Sequence, residues 1–291
     1  MIKLDKLCKS FGHKEVLHSI SLQIDKPVVY GLIGPNGAGK TTLMRSICGI
    51  LPASSGKIIY EDGRSVQEIA YMPDQTGLYT DMSVADEVKY IGQLRGLTPK
   101  EAMERASCYI KRLGLSKHIK TPIAALSKGT ARKVQFICTF LIQPFLAILD
   151  EPFSGLDPIS AIEMEKIILE KKEEGVTILL STHHMEHAER FCDHIFMINK
   201  GNLIIDDELE HLKLTHLMPE YQIESQTPLL FDEKHLIVKE KTADIYIYVV
   251  KTDNAYTYKQ MMKDIDDTEI LSLNHKIPDL KEIFINSVRC S

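Results

Sequence analysis

The stretch GPNGAGKTT, residues 34–42, constrains this chain more than any other. A short apolar run, residues 28–33, leads into it, and an apolar-periodic segment, residues 41–50, leads out, so the pattern predicts strand, glycine-rich loop and helix in that order. Gly34, Gly39, Lys40 and Thr41 fit the spacing GxxxxGK followed by Ser or Thr. Glycines let successive backbone N–H groups turn inward around the β- and γ-phosphates of a nucleotide, Lys40 adds a point charge, and the Thr41 hydroxyl can bind Mg2+. Gly37 lets the loop close tightly. A glycine-rich turn arising by chance would not need the strand before it and the helix after it, so these residues predict a nucleotide site.

The segment FLAILDEPFSGLDP, residues 145–158, supplies a second apolar run that ends in Asp150 and Glu151. In an open parallel sheet, ligands sit beyond the carboxyl ends of the strands. A carboxylate that directly follows a buried strand therefore lands beside the cradle. Asp150 suits the Mg2+ shell, directly or through water, and Glu151 is placed to polarise the water that attacks the γ-phosphate. The turn SGLDP leads through Pro158 into a helix and sets Asp157 at another edge of the site. The segment GVTILLSTHHMEHAERF, residues 175–191, repeats the logic: a strand, then His183 in reach of a γ-phosphate, then a helix from about Met185. Taken alone, His183 reads more readily as a satisfied surface or core histidine than as a phosphate contact. His184 and His187 find no further ligands at metal spacing.

LSKGTARKVQF, residues 126–136, begins like a helix, with Ser127 as its cap and Gly129 in the first turn. Such a terminus attracts an anion, yet the chain already carries a phosphate cradle about ninety residues earlier. Nucleic acid does not explain the second one, because 35 basic against 40 acidic residues leave a net charge of −5. No apolar run approaches the roughly 20 residues needed to cross a bilayer, and MIKLDKLCKSFG is too charged for a secretory signal, so a cytosolic chain is expected. Cys8, Cys48, Cys108, Cys138, Cys192 and Cys290 are scattered without metal-binding spacing and are expected to be reduced packing thiols.

The order of phosphate loop, LSKG, LDEP, SGLD and STH resembles the ATP-binding cassette (ABC) family, over about residues 1–213. The resemblance implies an α/β fold of the P-loop NTPase ABC type, with a mixed sheet core and a helical subdomain. It implies Phe11 as the aromatic that stacks on adenine, Val16 beside it, and Gly34, Asn36, Gly37, Ala38, Gly39, Lys40, Thr41 and Thr42 as the Walker A contacts. Ser127 and Gly129 become the signature, Asp150 and Glu151 the Walker B carboxylate and catalytic base, Ser154 to Asp157 the D-loop, and His183 the switch histidine; Lys40 joins Glu151 and His183 in catalysis. ATP and Mg2+ are the implied ligands. In such cassettes the signature helix addresses the nucleotide of the other copy, so two chains, a homodimer or a pair with a second cassette, sandwich two ATPs head to tail. Two departures stand out. The common LSGGQ is LSKGT here, so Lys128 adds charge and Thr130 replaces an amide side chain. Aligning on Pro73 puts Asp74 where the family has its Q-loop glutamine, with Gln75 one place later, and either could reach Mg2+.

Residues 78–141 turn helical and resemble the family's helical subdomain, whose groove with the Q-loop receives a coupling helix from an integral-membrane permease. Ser83 and Thr98 read as caps, with Glu87 and Glu101 four and three residues later. Residues 214–291 are expected to form a small α+β accessory domain. YQIES, HLIVKEK and DIYIYVVK read as strands, and AYTYKQMMKDI and DLKEIFINSV as helices, the latter capped by Asp279. From residue 219 on, nine basic against thirteen acidic residues exclude a nucleic-acid arm. Such a tail resembles cassettes of bacterial exporters that handle drugs, antimicrobial or toxin peptides, or lipids, held at the cytoplasmic face of the plasma membrane through the permease. The alternatives are a soluble cassette ATPase, which would show two cassettes, a coiled-coil insertion or a basic surface, and a regulatory nucleotide binder without turnover.

Overall fold

Parallel strands buried on both faces must be apolar along their whole length, and the runs singled out above collect into one such sheet. The computed structural model describes residues 2–229, 231, 234–242, 244–253, 257–263, 265 and 270–289. The chain separates into two compact units, Met1–Leu209 and Glu210–Ser291.

In the first unit, β1 (Ile2–Phe11) and β2 (Lys14–Ile24) form an antiparallel hairpin. β3 (Val29–Ile33) feeds the glycine-rich loop and α1 (Lys40–Ile47), and β4 (Ser55–Tyr60) then pairs with the far side of β1. Alternate residues of the β2-β1-β4 sheet, among them Leu4, Leu17, Ile20 and Leu22, share one core with Leu43, Met44 and Ile47 of α1 and with Tyr30, Leu32 and Phe196 beyond it. β5 (Ile69–Met72), β6 (Leu146–Asp150), β7 (Thr177–Thr182), β8 (His194–Asn199) and β9 (Asn202–Glu208) build the second sheet in the order β5-β6-β7-β3-β8-β9. All of its pairings are parallel except β8 with β9. The carboxyl ends of β3, β6 and β7 are therefore neighbours. Asp150 is the last residue of β6 rather than the first beyond it.

Three helices, α2 (Val84–Leu94), α3 (Pro99–Arg112) and α4 (Lys128–Thr139), fill the crossover from β5 to β6. Thr98 and Glu101 close a complete capping box on α3. On α2 the cap is closed differently: the Ser83 hydroxyl accepts from the Asp86 N–H and donates to the Asp86 carboxylate at 2.6 Å. Glu87 points inward instead, fully buried, with one oxygen accepting from the Tyr79 N–H at 3.2 Å and the other without a partner. α5 (Pro158–Glu173), capped by Asp157, is tied to α3 through Arg112, which pairs with Glu163 at 2.7 Å and with both oxygens of Glu170. α6 (Met185–Phe191) and α7 (Leu209–Thr215) follow β7 and β9.

In the second unit, β10 (Glu220–Ser225), β11 (Leu236–Thr242), β12 (Ile245–Lys251) and β13 (Ile270–His275) form an antiparallel sheet in the order β11-β12-β10-β13. The first three match the strands read from the sequence, whereas β13, with the short apolar alternation ILSLNH, does not stand out there. Ile223, Tyr248 and Val250 pack with Leu229, Met261 and Ile265. Of the segment AYTYKQMMKDI only one turn is helix, α8 (Tyr258–Met261); Ala255, Tyr256 and Asp264 lie outside the described residues, as does Cys290. α9 (Leu280–Arg289) starts where Asp279 accepts from the Glu282 N–H at 2.6 Å. The other five cysteines are free thiols, and no helix among the described residues is long and apolar enough to cross a membrane.

Candidate nucleotide site

The loop between β3 and α1 turns on Gly39, whose φ of 110° no ordinary side chain tolerates and whose missing Cβ would sit 2.8 Å from Leu17. Lys40, the first residue of α1, folds back so that its ammonium donates to the Gly34 carbonyl at 2.6 Å and to the Pro35 carbonyl at 3.3 Å. Burial lowers the pKa of this ammonium, and the carboxylates of Glu151 and Asp150 oppose that shift. The next residue, Thr41, donates its hydroxyl to one Asp150 oxygen at 2.8 Å, and Ser181 donates to the other at 2.5 Å. Both oxygens of the buried Asp150 are thus fixed.

Glu151 sits in the left-handed region at φ 48°, uncommon for a side chain of its size. Its N–H donates to the Ser181 hydroxyl at 3.0 Å. Its carboxylate lies 2.9 Å from Nδ1 of His183 and 3.9 Å from the Lys40 ammonium. A carboxylate, an imidazole and an ammonium therefore occupy one corner. A cleft of about 260 Å³ opens over it, lined by residues 35–42 with Val16, Asp74, Asp150 and Glu151.

Of the other predicted residues, all but Val16, the loop residues 36–42 and Asp74 lie outside the cleft lining. Gly34 is beneath the loop as an acceptor for Lys40. Phe11 is half exposed with the Lys9 ammonium 5.1 Å from its ring centre, and it does not line the cleft. Asp74 reaches the cleft, whereas Gln75 contributes its main-chain carbonyl to Gln135 at 3.4 Å. Ser127 caps α4, its hydroxyl accepting from the Thr130 N–H at 3.2 Å. Gly129 packs so tightly on the next loop that a Cβ there would stand 2.5 Å from the Gly155 carbonyl oxygen. Asp157 caps α5 and lies 3.6 Å from the Lys133 ammonium; the Ser160 hydroxyl and N–H hold its carboxyl down at about 2. Ser127, Gly129 and Asp157 thus gather around the N-termini of α4 and α5, outside the chain's own cleft.

Two residues of the site escaped the sequence reading, Ser181 and Arg132. Ser181 and Thr182 follow the buried apolar residues 178–180 at the end of β7, a pairing that signals polar work at its tip. Arg132, Gln135 and Thr139 share one buried face of α4, a polar stripe within an apolar helix pattern. The donor set fits a hard cation: a hydroxyl on Thr41 and carboxylates on Asp150 and Asp74, all oxygen. Among the described residues no three His, Cys, Asp or Glu converge into an all-protein metal site, so a Mg2+ here would complete its shell from phosphate oxygens and water.

The family described as ABC transporter matches residues 17–154. The ABC transporter ATP-binding protein YhaQ of Bacillus subtilis, itself uncharacterized, is 32% identical over 296 residues, covering 99% of this chain and 98% of its own. The chain belongs to the ABC transporter ATP-binding proteins. The lantibiotic transport ATP-binding protein SrtF of Streptococcus pyogenes is 33% identical over 72% of this chain and 92% of its own. Among solved structures, an ATP-binding subunit of an ABC transporter superposes with a TM-score of 0.69 at 29% identity, covering 74% of this chain and 92% of that one. CbiO1 from Clostridium perfringens, described as part of the transporter complex cbiONQ, gives 0.60 at 28% identity over 72% and 89%. The two sheets and the helical insertion are accordingly the ABC ATPase cassette fold, and this ABC subunit is an ATP-hydrolysing enzyme.

Proposed function

We propose that the chain powers export through a separate membrane permease, working as a dimer in which each copy completes the other's ATP site. One observation carries the reading: the cleft gathers the loop, Asp150 and Glu151, while Ser127, the cap of α4, and Gly129, in its first turn, lie outside it. A second anion-binding terminus that cannot serve its own cleft fits a partner's nucleotide. Thr41 and Asp150 would hold a Mg2+, which would supply positive charge to neutralise the phosphates. Lys40, released from the Gly34 and Pro35 carbonyls, binds the β- and γ-phosphates. Glu151 takes the proton of the attacking water through its carboxylate, and His183, hydrogen-bonded to that carboxylate, orients it and meets the γ-phosphate. Asp74 is the Q-loop residue of this reading, because it lines the cleft and Gln75 does not. Phe11 is the base-stacking aromatic of this reading, although it is not among the residues that line the cleft. ATP-driven dimerisation is the stroke handed to the permease, and loss of the γ-phosphate on hydrolysis removes the bridge between the two copies.

Support for a permease partner comes from CbiO1, which belongs to a transporter complex, and support for an antimicrobial-peptide cargo from SrtF. The chain would then lie at the cytoplasmic face of a bacterial membrane, with residues 214–291 as an accessory domain that regulates or pins the dimer. The test is affinity purification from detergent-solubilised membranes: a polytopic protein that co-purifies stoichiometrically supports the assignment, and recovery of the chain without one contradicts it.

A further inference from the structure

The most buried cation among the described residues of the ATPase unit is not Lys40 but Arg132, 3% exposed in the second turn of α4. A buried guanidinium is costly unless its donors are used, and here the closest acceptors are backbone carbonyls, with the Pro152 carbonyl and the Gln135 side-chain oxygen each accepting at 3.4 Å. One arm donates to the carbonyls of Pro73, at 2.9 Å, and Asp74; the other donates to those of Asp150 and Glu151. The nearest carboxylate oxygen, on Asp74, is 3.7 Å away.

We infer that Arg132 is a positioning residue for hydrolysis, a rigid fork through which α4 sets where Glu151 and the Asp74 loop stand relative to each other. This rests on the reading of Glu151 as the base. A left-handed Glu151 is held against its own local preference. What holds it is visible on both sides: Ser181 pins the N–H and Arg132 pins the carbonyl. With both peptide groups fixed, the carboxylate is aimed at His183. The guanidinium is planar, so its two arms cannot move independently. A tilt of α4, whose first turn carries Ser127 and Gly129, must therefore displace Glu151 and Asp74 together. Binding at the start of α4 would be transmitted to the water-activating carboxylate by one side chain.

The experiment measures ATP turnover of the purified full chain for wild type, Arg132→Gln, Arg132→Lys and Glu151→Gln, well below each protein's Tm. Lost aim without lost binding predicts that Arg132→Gln lowers kcat about tenfold or more while KM for ATP stays within about twofold. A kcat within about twofold of wild type, or kcat and KM changing in step, overturns the inference. Should Arg132→Gln fail to fold, Arg132→Lys decides: it keeps the cation but lacks the fork, so kcat falls about threefold or more at constant KM, and a wild-type kcat refutes the fork. Glu151→Gln separates the two levels. Intact turnover in that variant defeats the base assignment itself, whereas a silent Glu151→Gln beside an active Arg132→Gln defeats only the role of Arg132.

Discussion

Lys40 and Glu87 are both buried charges, and their surroundings assign them opposite fates. Lys40 has carbonyls and two carboxylates around it, a nest that a phosphate can replace. Lys40→Ala is expected to weaken Mg2+–ATP binding by about tenfold or more, read by equilibrium titration; unchanged affinity would remove the cradle from the account. Glu87 has only the Tyr79 N–H, and burial raises its carboxyl pKa above the usual value. A raised folded pKa means that the folded state holds the proton more tightly, so the charged form costs stability above that pKa and the cost is relieved as pH falls. Glu87→Gln should therefore have a higher Tm than wild type at pH 7.5, with the gap closing towards pH 4.5; a gap independent of pH contradicts this. Residues bound to a motif by spacing, such as Lys40, Thr41, Asp150 and Glu151, are legible in the sequence because chemistry fixes their separation. Arg132 and Ser181 are not, because what makes them matter is a convergence of carbonyls and carboxylates from segments far apart in the chain.

Among the elements, those with a single unambiguous period were readable. The three buried strands of the site and the capped helices α3 and α4 fall within a residue or two of where the patterns put them. The cap of α2 closed on Asp86 rather than involving Glu87, since a residue four positions past the cap faces the interior while the third reaches back. The short α8 and the strand β13 show the limit: a few apolar residues satisfy either period. The tie between α3 and α5 was equally invisible, because Arg112, Glu163 and Glu170 are ordinary helix-surface residues until the helices meet. That tie joins the helical insertion to the sheet core, and its side chains are about a quarter exposed on the arginine's side. Arg112→Ala should cost about 1 kcal/mol, or about 2–4 °C in Tm for a unit of this size. The loss should shrink in 1 M NaCl, roughly, because the pair is partly screened; a shift of equal size at both salt concentrations would mean that lost packing dominates.

At the scale of the whole molecule, two helix starts with exposed polar caps or glycine-rich turns, α1 and α4, lie in one chain, and only the first opens on the chain's own cleft. The packing of Gly129 on Gly155, and of Lys133 beside Asp157, keeps the second as a preformed surface. The central claim is that this surface finishes a neighbour's site. Mixing two inactive variants tests it most directly. Lys40→Ala lacks the cradle but keeps the signature surface, and Ser127→Arg lacks the signature surface but keeps the cradle, so a mixed pair contains one whole site. If sites are shared, the equimolar mixture recovers about one quarter of the wild-type ATPase rate, half of random pairs being mixed with one working site in two. If each chain hydrolyses ATP alone, the mixture is no faster than the sum of its two parts.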